Sequence, residues 1–437
     1  MRDMERRDFI KGSAAAAVGL TLAPARVLGA NERVVAGFIG VGRQGQSNMS
    51  SFLKAENVAI AAVCDVYEPN LEKAAAIAGP DAAKLRDFRR VLDNKDINAV
   101  VISTPDHWHA YQTVAACQAG KDVYVEKPIC VAVEEGRTMV EAARRYERVV
   151  QAGTQQRSGV HFQQAVELVR SGRLGKISVV RTWNFGNQSP EGIGNPPDSD
   201  PPSSLDWDLW LGPAPKRAFN PNRFGVHESN YSFFRWFWDY AGGMMTDWGI
   251  HLLDIVQWAM DVDAPQAVTA SGGKLFLKDN RETPDTLQVT YEYPGWIAMY
   301  ENRELNANPL LGKSYGILFH GTEGTLFVDR SGYELIPETR GRGTAAVNRT
   351  EPVSDKNSNN HGAAHFANFV ECVRSRKRPV CDIETGHRST STCLLGNVAY
   401  RSRQRIEWDA KAEKITNAAD ARKYLSREYR KPWRLHV

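Results

Sequence analysis

Beyond its first thirty residues the 437-residue chain has no apolar run of eighteen or more, so no membrane-spanning helix is predicted. A dominant charge is missing as well. The formal net charge is +4 and is not clustered, which leaves no electrostatic footprint for nucleic acid. Cysteine is sparse: Cys64, Cys117, Cys130, Cys372, Cys381 and Cys393 include no C-x-x-C pair. Cys64 and Cys117 fall in apolar, core-like segments. Cys372, Cys381 and Cys393 are close in sequence, and spacing assigns no disulfide among them. There is no internal repeat. What remains is 42% apolar and 24% charged, the composition of a globular chain with a real core. The length gives a prior of two or three domains.

The first thirty residues stand apart. Arg6-Arg7 precede an apolar stretch from Gly12 to Leu22, followed by Ala23-Pro24-Ala25 and Gly29-Ala30. Paired arginines, a short apolar region and small residues resemble a twin-arginine export signal, placing the protein in the periplasm. Such a route carries folded proteins, so a nucleotide cofactor loaded in the cytoplasm could leave inside the fold. Residues 1–30 carry five basic and three acidic groups, so a mature form beginning at Asn31 would have a charge of +2.

From residue 34 apolar runs alternate with helix-like segments. Strands are predicted at Val34–Ile39, Ala59–Cys64, Ala99–Ile102, Asp122–Val125 and Val149–Ala152. Helices are predicted around Gln44–Lys54, Pro69–Ala78, Asp106–Ala119 and Val133–Tyr146. This is the pattern of a doubly wound, Rossmann-type parallel sheet, and the domain is placed at 31–155. The first strand runs into Gly40-Val41-Gly42-Arg43-Gln44-Gly45. One glycine makes the tight turn, one admits a pyrophosphate, and one lets helix and strand pack closely. Asp65 follows Gly45 by twenty residues at the end of the second run, where an acid suits the ribose hydroxyls of NAD. Ligands of such sheets lie beyond the strands' carboxyl ends. Gly40–Gly45, Asp65–Tyr67, Ser103–His109 and Glu126–Pro128 should therefore face the cofactor. Thr104 or Asp106 could also cap the following helix. Lys127, partly desolvated at such a strand end, could act as an acid or base.

Residues 156–437 read as an α+β domain. A helix is predicted at Arg157–Ser171 and a strand at Lys176–Trp183. A Pro-rich loop follows, then an aromatic stretch: six of the eleven tryptophans lie between Trp207 and Trp258. Most should be core, with one or two free to stack on a sugar ring. Strands at Ala267–Gly272, Thr286–Tyr293, Ile297–Asn302, Tyr315–His320 and Thr325–Asp329 predict a large, mostly antiparallel sheet. Gly341–Ser358 reads as a loop, and His361–Arg374 and Glu384–Arg401 as helices. Asp247 and His251 are four apart in a helical pattern and so share a face. They could orient a hydroxyl and take its proton. Asp254, three beyond, could fix the imidazole tautomer.

Taken together, Gly40-x-Gly42-x-x-Gly45, Asp65, Thr104-Pro105-x-x-x-His109, Gly120-Lys121 and Glu126-Lys127-Pro128 resemble the Gfo/Idh/MocA family of sugar and inositol oxidoreductases. The resemblance implies two domains, NAD(P) use, Lys127 at the reacting carbon, and an Asp-x-x-x-His pair in the second domain, matched here by Asp247 and His251. It also implies that Trp108, His109 and the turn at Gln155-Gln156 line the cofactor. The open sheet would make homo-oligomer contacts. The expected activity is NAD-dependent oxidation of a CH–OH group of a carbohydrate, with Lys127 or His251 as base. A redox-neutral glycosidase that keeps its NAD and passes through a 3-keto sugar is an alternative. So are a metal-assisted keto-sugar lyase using His107, His109, Asp247 and His251, and a non-catalytic sugar-binding protein. No recognised metal signature is present. Specificity is placed in Gly186–Pro202 and Arg217–Asn230.

Overall fold

A computed structural model describes residues 33–225, 232–341, 343 and 346–437. The expected signal segment, residues 1–30, and the end of the second specificity loop, residues 226–230, lie outside them. Among the described residues, β1 (Val34–Ile39), β2 (Val58–Cys64), β3 (Ala83–Leu85), β4 (Ala99–Ile102), β5 (Asp122–Val125) and β6 (Val150–Ala152) form a parallel sheet. Its order is β3-β2-β1-β4-β5-β6. β4 and β5 are buried at every residue, as strands covered on both faces must be. Helices Arg43–Phe52, Glu68–Ala78, Asp106–Gln118 and Val133–Arg145 fill the crossovers where the sequence predicts them.

β3 and the helix Phe88–Asp93 escape sequence reading. Each is too short for a hydrophobic period to show, and β3 exposes two of its three residues. One covering helix comes from far along the chain. His361–Ser375 lays Phe366 and Phe369 against the sheet, with Phe366 stacked 4.2 Å from Tyr124.

The second sheet contains β7 (Ile177–Phe185), β8 (Ala267–Gly273), β9 (Thr286–Tyr293), β10 (Trp296–Arg303), β11 (Tyr315–Gly321), β12 (Gly324–Asp329) and β13 (Gly332–Pro337). A separate two-residue pair, β14 (Thr339–Arg340) and β15 (Val347–Asn348), precedes β16 (Val353–Lys356), so the predicted loop there carries strands. β17 (Ile406–Asp409) and β18 (Lys414–Ile415) complete the order β16-β13-β12-β11-β7-β10-β9-β8-β17-β18. Every neighbouring pair is antiparallel except β7 with β10. Helices Gly249–Met260 and Ile383–Ser402 cover one face, burying Ile250, Leu253, Val256, Leu395 and Val398 against the sheet's Val289, Tyr291 and Phe319.

The helix expected through residues 247–254 is interrupted. One short helix, Gly243–Asp247, ends at Trp248, which in turn caps Gly249–Met260. Asp247 and His251 therefore do not share one continuous helical face. The helix predicted from Arg157 begins at Val160, after a 3-10 turn at Gln155–Ser158. All six cysteines are buried and none forms a disulfide.

Candidate active site

The strand order reverses between β1 and β4, and the crevice opens beyond their carboxyl ends. At β1 the three glycines do three different things. Gly40 has φ +79°, and a Cβ there would lie 2.5 Å from Thr104 N. A Cβ on Gly45 would lie 2.2 Å from Gly40 O, so helix and turn pack closely only without a side chain. A Cβ on Gly42 would meet only Asn70 Nδ2, at 3.4 Å; it would project into the cleft instead. The Asp65 carboxylate holds this turn: Oδ2 accepts from Val41 N at 2.9 Å and Oδ1 from Tyr67 N at 2.9 Å. Asn70 Nδ2 donates to Oδ2 as well, at 3.4 Å. Burial raises this carboxyl to about 6, against the pull of those N–H donors. These residues fit a dinucleotide. Open space at Gly42, a helix N-terminus without a side-chain cap and an acid at the end of β2 are what its pyrophosphate and ribose require.

The next two turns are bound to the first and to each other. Glu126 does not pair with the Lys127 ammonium as a surface dipeptide would. It is buried, and Oε1 accepts from Gln44 Nε2 at 3.2 Å and Asn48 Nδ2 at 2.9 Å, both on the glycine-turn helix. His109 places Nδ1 2.7 Å from Pro128 O and Nε2 2.8 Å from Thr104 O, joining two strand-end turns. Burial drives this imidazole down to about 4. The expected caps are absent: Pro105 occupies the N-cap, and Thr104 Oγ1 bonds Gln112 Oε1 at 2.9 Å. Trp108 lies on the cleft wall and donates from Nε1 to Trp210 O at 2.9 Å.

Lys127 meets the second sheet's domain here. Its Nζ donates to Asp247 Oδ1 at 2.9 Å and to Asp247 O at 3.2 Å. The two side chains are only 16% and 7% exposed. Arg235 Nη2 stands 3.4 Å from the same oxygen. His251 is buried, with Nδ1 lacking a hydrogen-bond partner among the described residues. Burial, then the charges of Arg330 and Lys127, hold it well below the usual imidazole range, against Asp247. It is a neutral imidazole at neutral pH. Asp254 does not fix its tautomer. That carboxylate is taken by Arg157, at 2.8 and 2.9 Å, and by Ser389 Oγ at 2.6 Å.

The cleft brings together Gly40, Gly42, Arg43, Gln44, Asp65, Thr104, Pro105, Trp108, His109, Glu126, Lys127 and Asp247 from the sequence expectations. Gly45 and His251 are not among its lining residues. Gln155 does not line it, and the adjacent Gln156 donates to His251 O and accepts from Arg330. Of the aromatic stretch, Trp210, Phe224 and Phe234 reach the cleft, while Trp236 and Phe237 are core. Among the described residues no three His, Cys, Asp or Glu gather as a metal site. The His107 and His109 nitrogens that make contacts face backbone carbonyls.

Sequence reasoning missed Arg235, which sits in no motif, and gave Asp106 a capping role in a turn facing the cofactor. Asp106 lines the cleft and is pushed up to about 8 by burial, then by Asp247, against Lys127 and Arg235. A carboxyl in the unfolded chain ionises near 3.9, so between those values folding takes up a proton. The stability this group contributes is complete below about pH 4 and is lost as pH rises through about 8. Asp106→Asn removes that slope. Thermal unfolding followed from pH 5 to 9 should show the variant gaining on the parent as pH rises; a constant difference would refute it.

A glycine turn at the switch point of a parallel sheet, opposite a lysine paired across to a second α+β domain, defines the class of nucleotide-dependent oxidoreductases. Residues 34–154 match the Gfo/Idh/MocA oxidoreductase family's NAD-binding Rossmann fold, and residues 164–360 and 354–435 match its C-terminal alpha/beta domain. The chain belongs to this family, and its cofactor is NAD. Residues 3–23 match the signal sequence of the twin-arginine translocation pathway. No helix among the described residues is long and apolar enough to cross a membrane.

A glycosyl hydrolase family 109 protein of Shewanella sp. (strain ANA-3) is 28% identical over 210 residues, 40% of this chain and 45% of that protein. An alpha-N-acetylgalactosaminidase of Shewanella oneidensis is 28% identical over 211 residues, again 40% and 45%. The matched region thus spans less than half the length of these relatives. In fold the chain is similar to the WlbA dehydrogenase of Bordetella pertussis, solved with NADH and UDP-GlcNAcA. There the TM-score is 0.64 at 19% identity over 86% of this chain and 99% of that one. It is similar also to an aldose-aldose oxidoreductase of Caulobacter crescentus, with TM-score 0.63 at 22% identity over 86% and 99%.

Proposed function

We propose that this protein is an exported, periplasmic enzyme that uses NAD to oxidise a CH–OH carbon of a carbohydrate. The observation that carries the reading is the buried Lys127–Asp247 pair at the cleft, with the neutral imidazole of His251 beside it. When bound, NAD supplies the hydride acceptor. Gly40, Gly42 and Asp65 hold the dinucleotide. Asp247 fixes the Lys127 ammonium, which donates a hydrogen bond to the reacting oxygen. The hydroxyl proton is taken by Lys127 or His251: Lys127 lines the cleft, and His251, which does not line it, offers a neutral Nδ1 with no hydrogen-bond partner among the described residues.

The family 109 relatives and the twin-arginine signal favour a second reading. In it the oxidised sugar loses its glycosidic group, takes up water and is reduced again in the same site, so no cofactor is consumed. One preparation tests both. The mature protein is purified without added nucleotide, denatured, and its NAD(H) quantified by mass and absorbance. Glycosides and free sugars are then offered with and without NAD. Turnover of a free sugar only with added NAD supports the dehydrogenase. Glycoside cleavage by protein carrying near-stoichiometric NAD(H), with none added, supports the closed cycle. Protein that neither contains nor binds NAD overturns both.

A further inference from the structure

The end of the cleft at Asp65, just after β2, is bordered by a segment of the second domain. Ser204 O accepts from Glu68 N at 3.1 Å, and Asp206 N donates to Val66 O at 3.0 Å. Tyr67 and Leu205 form an antiparallel bridge, and Arg86 Nη2 reaches Val66 O and Ser204 O at 3.3 and 3.4 Å. The segment is therefore stitched by backbone to the residues directly after Asp65. It continues into the short helix Trp207–Leu211, whose Leu209 and Trp210 form part of the cleft wall. Trp210 O accepts from Trp108 Nε1 at 2.9 Å and lies 3.1 Å from His107 Nε2. The approach is close enough to demand a glycine after it: a Cβ on Gly212, at φ +48°, would lie 2.0 Å from the Trp108 ring.

The C-terminal tail clamps this segment from outside. Arg430 donates from Nε to Gly212 O at 2.9 Å, from Nη2 to Asp208 O at 2.8 Å and from Nη1 to Asp208 Oδ1 at 2.5 Å. Its own N–H bonds Pro213 O at 3.0 Å. Three residues earlier the tail is anchored on the Rossmann side. Arg427 donates to Glu135 Oε1 and to His107 O, each at 2.6 Å, and Tyr429 Oη donates to Glu135 at 2.6 Å. Trp433 then packs edge-on against Trp108 at 4.8 Å.

We propose that Ser204–Gly212 is a fixed cover over the Asp65 end of the cleft, clamped by Arg430, and that it keeps the dinucleotide resident between turnovers. The inference rests on the cleft being the NAD site of the function proposed above. The hydrogen bonds described for the cover and the tail run to Val66, Glu68, Arg86, His107, Trp108 and Glu135, not to the reacting groups, so the cover acts on exchange of the nucleotide. Arg430 is a positioning residue. It acts through the 208–213 backbone and is one charged group serving both ends of that turn.

The test is the rate at which bound NAD leaves. Parent and Arg430→Ala proteins are saturated with NAD, freed of excess by gel filtration, and followed by mass for nucleotide remaining on the protein. Thermal unfolding is measured in parallel. Arg430→Ala should release NAD at least tenfold faster than the parent while unfolding at a similar temperature. Equal release rates would overturn the cover. Should Arg430→Ala fail to fold, Arg430→Met keeps the long stem, removes every guanidinium donor to Asp208 and Gly212, and must show the same acceleration. A parent that takes up no NAD at all would instead refute the functional reading beneath it.

Discussion

Lys127→Ala is expected to lower kcat/KM by about 10²–10⁴-fold while the protein still binds NAD. The lysine Nζ hydrogen-bonds Asp247 on both its carboxylate and its carbonyl, at 2.9 and 3.2 Å. Its removal takes away the proposed donor to the reacting oxygen and the group that holds Asp247 in place. The cofactor turn is supported elsewhere, by Asp65 on Val41 N and by Glu126 on Gln44 and Asn48, so nucleotide affinity should be nearly unchanged. Breaking a buried ion pair destabilises as well. Arg235, 3.4 Å from the same carboxylate, offsets part of that loss. Lys127→Arg should not rescue activity, because a planar guanidinium cannot place a single compact donor where the ammonium sits. Steady-state kinetics with NAD titration on the same samples checks this. Activity within tenfold of the parent would remove Lys127 from the mechanism. A non-catalytic sugar-binding protein would lose no turnover and would keep its ligand affinity.

Gly42→Val and Gly45→Val are expected to fail in opposite ways. At Gly42 the backbone has φ −67°, which any residue adopts, and a Cβ meets only Asn70 Nδ2 at 3.4 Å. The fold should tolerate valine, with a melting temperature close to the parent's. The side chain then occupies the space the pyrophosphate needs, and NAD affinity should fall by about 100-fold or more. At Gly45 the added Cβ would lie 2.2 Å from Gly40 O, a backbone atom fixed by its own hydrogen-bonded strand end. Relief requires moving the helix from the sheet, and such overpacking costs about 1–3 kcal/mol or more. Gly45→Val should therefore unfold at a clearly lower temperature before its NAD affinity is considered. Calorimetry and NAD titration on both variants separate the two roles; equal melting losses would show that both glycines serve packing alone.

Much of the first domain is legible in the sequence because its signals are local. Strand, glycine turn, helix and acid follow each other within about thirty residues, and the covered strands read as continuous apolar runs. The Glu126-Lys127-Pro128 turn is legible for the same reason: its place at a strand end follows from the alternation around it. The short pieces, β3 and Phe88–Asp93, carry too few residues for a period to emerge. Asp247 and His251 were readable as a pair, but not the break between them, where Trp248 ends one helix and caps the next.

The chain by itself determined the NAD-binding domain and the place of its glycine turn and of Lys127 at strand ends, because those rest on nearest-neighbour geometry that backbone physics dictates. Only the tertiary structure decided which charges meet. It gives Asp247 to Lys127 and Arg235, 120 and 12 residues away, and Asp254 to Arg157, 97 residues away. It also brings Arg430 across 222 residues onto Asp208. Partners so distant are chosen by how helices and sheets pack, where desolvation makes each buried charge take whichever counter-charge the fold delivers, and no spacing in the sequence records that choice.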